Sequence, residues 1–141
     1  MVERMSCEDF KVNLVKAALG AREKAYAPYS GFKVGAALLC GGGVVYTGCN
    51  IENAAYTPSN CAERTAFFNA VSDGCKDFKA IAIVGGRESA QDFCPPCGVC
   101  RQVMMEFCAG DFLIILGRQD GSYKTYTLSG LLPEGFGPEK L

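Results

Sequence analysis

Three thiols and a carboxylate fall at spacings that suit metal chemistry. Cys61 stands two residues before Glu63 in Asn60-Cys61-Ala62-Glu63-Arg64, and Cys97 and Cys100 follow in Pro96-Cys97-Gly98-Val99-Cys100-Arg101-Gln102. A two-residue gap lets neighbouring thiolates grip one ion, and a third thiolate from elsewhere gives zinc three protein ligands and one open vertex. An open vertex takes water. Zinc lowers the pKa of that water to about 7, and a carboxylate placed like Glu63 can carry the proton to a substrate. A fourth protein ligand would close the site and make it structural. Cys94, three residues before Cys97, is the candidate for that role, although Pro95 and Pro96 stiffen the segment between them. A lone Cys-x-x-Cys also serves redox motifs and structural zinc ribbons, with Glu63 merely supporting a helix start; the upstream Cys-x-Glu and the helical pattern after each half favour a catalytic zinc.

The chain contains no His. Ser-His and Cys-His nucleophile pairs and any His-ligated metal are therefore excluded, and proton transfer falls to a carboxylate. Nine Cys in 141 residues could mean a disulfide scaffold, but the count is odd and Met1 to Phe10 lack the basic-then-apolar pattern of a secretory signal. Reduced thiols and a cytoplasmic location are expected, which leaves Cys7, Cys40, Cys49, Cys75 and Cys108 as ordinary core or surface thiols. A formal net charge of −1 supplies no basic field for a nucleic-acid backbone, and no apolar run is long enough to cross a bilayer. The length predicts a single domain over residues 1–141.

These residues need elements to hold them. Phe10, Leu14, Val15, Ala18 and Leu19 recur at helical spacing and predict a helix from Glu8 to about Ala25, with Ser6 as its N-cap. Ala27-Pro28-Tyr29-Ser30-Gly31 is turn chemistry, after which Phe32 to Leu39 and Val44 to Cys49 read as strands joined by a hairpin turn at Gly41-Gly42-Gly43. Without a following Lys and Ser or Thr, that glycine triplet is no phosphate cradle. Asn50 to Asn60 is a polar, aromatic loop of the sort that carries binding groups. A second helix is predicted from Cys61 to Val71, closed by Asp73-Gly74, then a central strand from Lys79 to Gly85 and a third helix starting at Pro96. Asp111 to Gly117 and Ser122 to Leu128 complete five strands, and the rest reads as a short turn and an extended tail. Strands interleaved with helices make an α/β layered fold.

Both halves of the metal motif thus lie at helix starts, where the positive dipole end lowers a thiolate's pKa. Three thiolates on Zn²⁺ carry a formal −1, and an Arg64 guanidinium hydrogen-bonded to sulfur would offset it. The alternative is a plain surface arginine.

The pattern of Cys-x-Glu followed by Pro-Cys-x-x-Cys resembles the signature of zinc nucleobase deaminases, with Cys where polynucleotide editors usually have His. Together with Ala27-Pro28-Tyr29-Ser30-Gly31-Phe32, Gly48-Cys49-Asn50-Ile51-Glu52-Asn53-Ala54-Ala55-Tyr56, Leu131-Leu132-Pro133 and Phe136-Gly137-Pro138, it is similar to the small homotetrameric cytidine deaminases over almost the whole chain. The resemblance implies a three-layer α/β/α sandwich on a mixed five-stranded sheet. It implies hydrolysis of cytidine and deoxycytidine to uridine and deoxyuridine, a pyrimidine-salvage reaction, with one zinc on Cys61, Cys97 and Cys100 and with Glu63 as proton shuttle. It also implies that Asn50 and Glu52 hold the ribose, Phe32 packs on the base, and the Ala62 amide meets the ring carbonyl. Ala54, Tyr56 and Phe136 would complete a neighbouring subunit's site. Cytosine-bearing antibiotics of the blasticidin type are the rival substrates. Independently of the family, a Glu52 carboxylate accepts a sugar O–H and repels phosphate, which favours a free nucleoside.

Overall fold

Alternating apolar residues build the middle of the sheet, and their two faces decide where the helices go. In the strand Lys33–Cys40 (β2), Ala36, Leu38 and Cys40 face one core while Ala37 faces another; in Phe78–Gly86 (β4), Ile81 and Ile83 share the first core and Ala80, Ala82 and Val84 the second. Being buried on both faces, β4 has the continuous apolar sequence of a central strand. The computed structural model describes Val2–Arg4 and residues 10–141.

The other strands are Val2–Arg4 (β1), Val44–Cys49 (β3), Leu113–Gly117 (β5) and Tyr123–Thr127 (β6), and the sheet order is β1-β3-β2-β4-β5-β6. The sheet is mixed: β4 and β5 pair in parallel, and the remaining neighbours are antiparallel. It has six strands where the sequence predicts five. The extra one, β1, pairs Val2, Glu3 and Arg4 with Tyr46, Val45 and Val44, and three residues are too few to show an alternation.

The helices are Phe10–Arg22 (α1), Ala62–Ser72 (α2), Gly98–Phe107 (α3) and the single turn Leu128–Leu131 (α4). Crossovers between parallel strands are right-handed. Because β1 and β2 run opposite to β3, β4 and β5, that one hand sends α1 to one face and α2 and α3 to the other. The result is the expected three-layer sandwich. Glycine permits the close approach of α2: a Cβ at Gly48 of β3 would lie 2.5 Å from both Ala62 O and Ala66 N.

Several boundaries differ from expectation. The first helix ends at Arg22 instead of Ala25, because Tyr26 N and O bond Asn50 O (2.9 Å) and Glu52 N (2.8 Å) and draw the chain into an extended bridge. Its expected start at Glu8 and cap at Ser6 lie outside the described residues, as does Cys7. The third helix starts at Gly98, since Cys97 is extended (φ −68°, ψ 168°) and serves as its cap. The Gly41–Gly43 hairpin turn is as expected, with Gly42 and Gly43 at φ 81° and 83°, and the tail ends in a short turn at Pro138–Lys140. Among the described residues no helix is long and apolar enough to cross a membrane.

Candidate active site

Two helix starts meet. Cys61 is the N-cap of α2 and Cys97 the N-cap of α3, so the positive ends of both dipoles converge on the same sulfurs. Cys97 Sγ also accepts the Cys100 N–H at 3.4 Å, doing at this start what a Ser or Asp oxygen usually does. The Sγ atoms of Cys61 and Cys97 are 3.7 Å apart and those of Cys97 and Cys100 are 3.4 Å apart, with all three inside 4.8 Å of one another. Zn–S bonds of about 2.3 Å in a tetrahedron separate neighbouring sulfurs by about 3.8 Å, so the donor set fits zinc in both spacing and softness.

Arg64 turns toward the cluster: its Nη2 donates to Cys61 Sγ at 3.3 Å, and it is no plain surface side chain. Its Nε is buried with no hydrogen bond among the described residues. Hydrogen bonding from Cys100, with Arg64 and Cys97 adding to it against the cost of burial, holds the Cys61 thiol down to about 5. Cys100, the donor of that pair, is raised correspondingly. Cys94, the candidate fourth ligand, lies outside the three-sulfur group.

Glu63 is 4% exposed, in the first turn of α2 beside the sulfurs. Burial lifts its carboxyl to about 7, with the Cys61 charge contributing in the same direction. It lines a cavity of about 310 Å³ together with Asn50, Glu52, Cys61, Ala62 and Cys97. The Ala62 N–H belongs to the first turn of α2, whose amides lack intrahelical acceptors. Asn50 is half used by the fold: Oδ1 accepts Val34 N–H and Nδ2 donates to Phe32 O, both at 2.8 Å, leaving one N–H and one lone pair free.

Some expected site residues lie apart from that cavity. Phe32 lines an adjoining one of about 200 Å³ whose shared wall is Cys94. Tyr56, 78% exposed with φ 63°, lines a third with Tyr29, Ser30 and Glu52. Ala54 and Phe136 are exposed, and the Phe136 carbonyl accepts Gln102 Nε2 at 2.7 Å. Two residues with no predicted role also tie the site together. Arg101 bonds Pro96 O (2.8 Å) and Leu131 O (2.6 Å), fixing the start of α3, and Ser30 bonds Glu52. Nothing in the residue types marks Arg101; Ser30 carries the weak signal of a hydroxyl in a glycine turn.

A mixed sheet that brings three thiolates and a buried carboxylate to paired helix starts defines a zinc-dependent deaminase of nucleobases. Residues 9–116 match the profile of the cytidine and deoxycytidylate deaminase zinc-binding region. The chain is 52% identical over 128 residues to a cytidine deaminase of Sporosarcina psychrophila, covering 91% of this chain and 92% of that one. A cytidine deaminase structure from Burkholderia pseudomallei superposes with a TM-score of 0.82 at 46% identity, covering 94% of this chain and all of that one. One from Mycobacterium tuberculosis gives 0.77 at 39%, covering 92% and 98%. The chain belongs to the cytidine deaminase family. It is a zinc enzyme, and the structural-zinc alternative is set aside.

Proposed function

We propose that this protein hydrolyses cytidine and deoxycytidine to uridine and deoxyuridine with release of ammonia, as a cytoplasmic step of pyrimidine salvage carried out by one domain spanning residues 1–141. The observation that carries this reading is Glu63, almost fully buried beside the three sulfurs and lining the same cavity as Asn50 and Glu52. Cys61, Cys97 and Cys100 would hold the zinc, which would supply Lewis-acid activation of water. Glu63 takes the proton of the attacking water and passes it to ring N3; it then delivers the second proton to the exocyclic amine as the C4–N bond breaks. The Ala62 N–H donates to the ring carbonyl. The spare N–H and lone pair of Asn50 and a carboxylate oxygen of Glu52 take sugar hydroxyls, and Glu52 repels a phosphate in the same place. Phe32 flanks the base from the adjoining cavity, and Arg64 holds the Cys61 sulfur.

The exposure of Ala54, Tyr56 and Phe136 supports their service in a neighbouring copy's site within a homotetramer. The test is ammonia release from cytidine by the native protein and by Glu63→Gln at equal zinc content. Loss of the shuttle is expected to cut turnover by about 10² to 10⁴. A Glu63→Gln protein that holds zinc and turns over at the native rate would overturn the assignment.

A further inference from the structure

Glu52 is gripped on one side only. Its Oε1 accepts the Tyr29 N–H at 3.0 Å and the Ser30 N–H at 3.1 Å, and its Oε2 accepts the Ser30 Oγ–H at 2.5 Å. A carboxylate offers about four lone-pair positions, two on each oxygen. Oε1 is full, so the single position left is on Oε2, the oxygen that the Ser30 hydroxyl fixes. That hydroxyl cannot swing away easily, because its own lone pair accepts the Phe32 N–H at 2.9 Å and leaves its proton for Glu52.

The turn that presents Ser30 is itself tied down. Gly31 N bonds Ala27 O at 2.9 Å, with Gly31 at φ 69°, a conformation glycine adopts freely. Arg87 Nε holds Ser30 O at 3.3 Å, and Arg22 Nη2 in turn holds Arg87 O at 3.2 Å. Glu52 therefore sits where the 310 Å³ cavity meets the Tyr29 and Tyr56 cavity, with only one acceptor direction open. The Ser30 hydroxyl is also the main cause holding the Glu52 carboxyl below its ordinary value.

We infer that Ser30 is a positioning residue that sets the Glu52 carboxylate for a single sugar hydroxyl, and so contributes to selectivity for nucleosides that carry one. This rests on Glu52 being the sugar contact proposed above. Ser30 acts through Glu52 and touches no reacting atom.

The experiment compares cytidine with 2′,3′-dideoxycytidine, which lacks both ring hydroxyls, in the native enzyme, Ser30→Ala, Ser30→Thr, Glu52→Gln and the double variant Ser30→Ala/Glu52→Gln. Loss of a hydrogen bond to a charged group that orients the ligand raises KM for cytidine roughly tenfold in Ser30→Ala. Both kcat and the KM for dideoxycytidine stay within about twofold. Ser30→Thr, which keeps the hydroxyl, restores the native KM, and Ser30→Ala adds nothing in the Glu52→Gln background. An equal rise for both nucleosides, or none for cytidine, overturns the inference while a discriminating Glu52→Gln leaves the sugar reading standing. If Glu52→Gln also fails to separate the two nucleosides, the sugar reading falls with it.

Discussion

At one end of the sheet α2 and α3 begin and α1 ends, and the chemistry follows the direction of the helices. On the α2 and α3 side the helix starts collect three sulfurs and the Glu63 carboxylate. On the α1 side the last turn carries a buried cation, Arg22, 3% exposed, which donates to Gly86 O at 2.6 Å, to Lys33 O at 3.2 Å and to Arg87 O at 3.2 Å. Negative groups gather at positive dipole ends and a positive group at the negative end. The cores behind them differ too. Leu14, Val15 and Ala18 of α1 pack on Ala37, Ala80, Ala82 and Val84, whereas α2 and α3 cover an aromatic cluster in which Phe67 meets Phe78 edge-on at 4.9 Å and lies near Phe107 and Phe112. One face is closed to build a scaffold, and the other is left open at its end to build a site.

That division can be broken by substitutions on either side. The largest effect is expected from Cys100→Ala: zinc by elemental analysis falls from one per chain toward none and turnover disappears, because two thiolates leave the ion short of a ligand. Stoichiometric zinc in that variant would mean that another group serves as ligand. Next comes Arg22→Met, which strands three carbonyls and is expected to cost on the order of 3 kcal/mol in urea unfolding while zinc content stays native. If zinc is lost instead, the two sides are not separable. The smallest is Arg64→Gln, expected to weaken zinc about 10- to 100-fold in chelator competition with little change in the unfolding midpoint of the zinc-loaded protein. Unchanged zinc affinity would reduce the Arg64 contact with Cys61 to packing.

The sequence made the scaffold and the metal ligands legible for different reasons. Alternation and apolar runs located β2, β3 and β4 to within a residue or so, because burial on two faces constrains every position. Cys61, Glu63, Cys97 and Cys100 could be read because few other chemistries need those types at that spacing. The start of α3 lies two residues beyond Pro96, where the sequence points, because Cys97 supplies a sulfur cap outside the usual set of capping residues. Strand β1 is too short to carry a period. Arg22 and Ser30 act on partners far along the chain, and their own neighbours in sequence do not mark those partners: the carbonyl of Gly86 is 64 residues from Arg22, and the Glu52 carboxylate is 22 from Ser30.

Cys61 and Cys97 are 36 residues apart, and the segment between them contains α2, β4 and the loop that carries Cys94. An ion bound to both works as a removable clasp that shortens the unfolded chain's reach, and a covalent link over that span would be worth about 4 kcal/mol in chain entropy. The enzyme's endurance to heat then becomes a function of free metal, rising with the logarithm of its concentration.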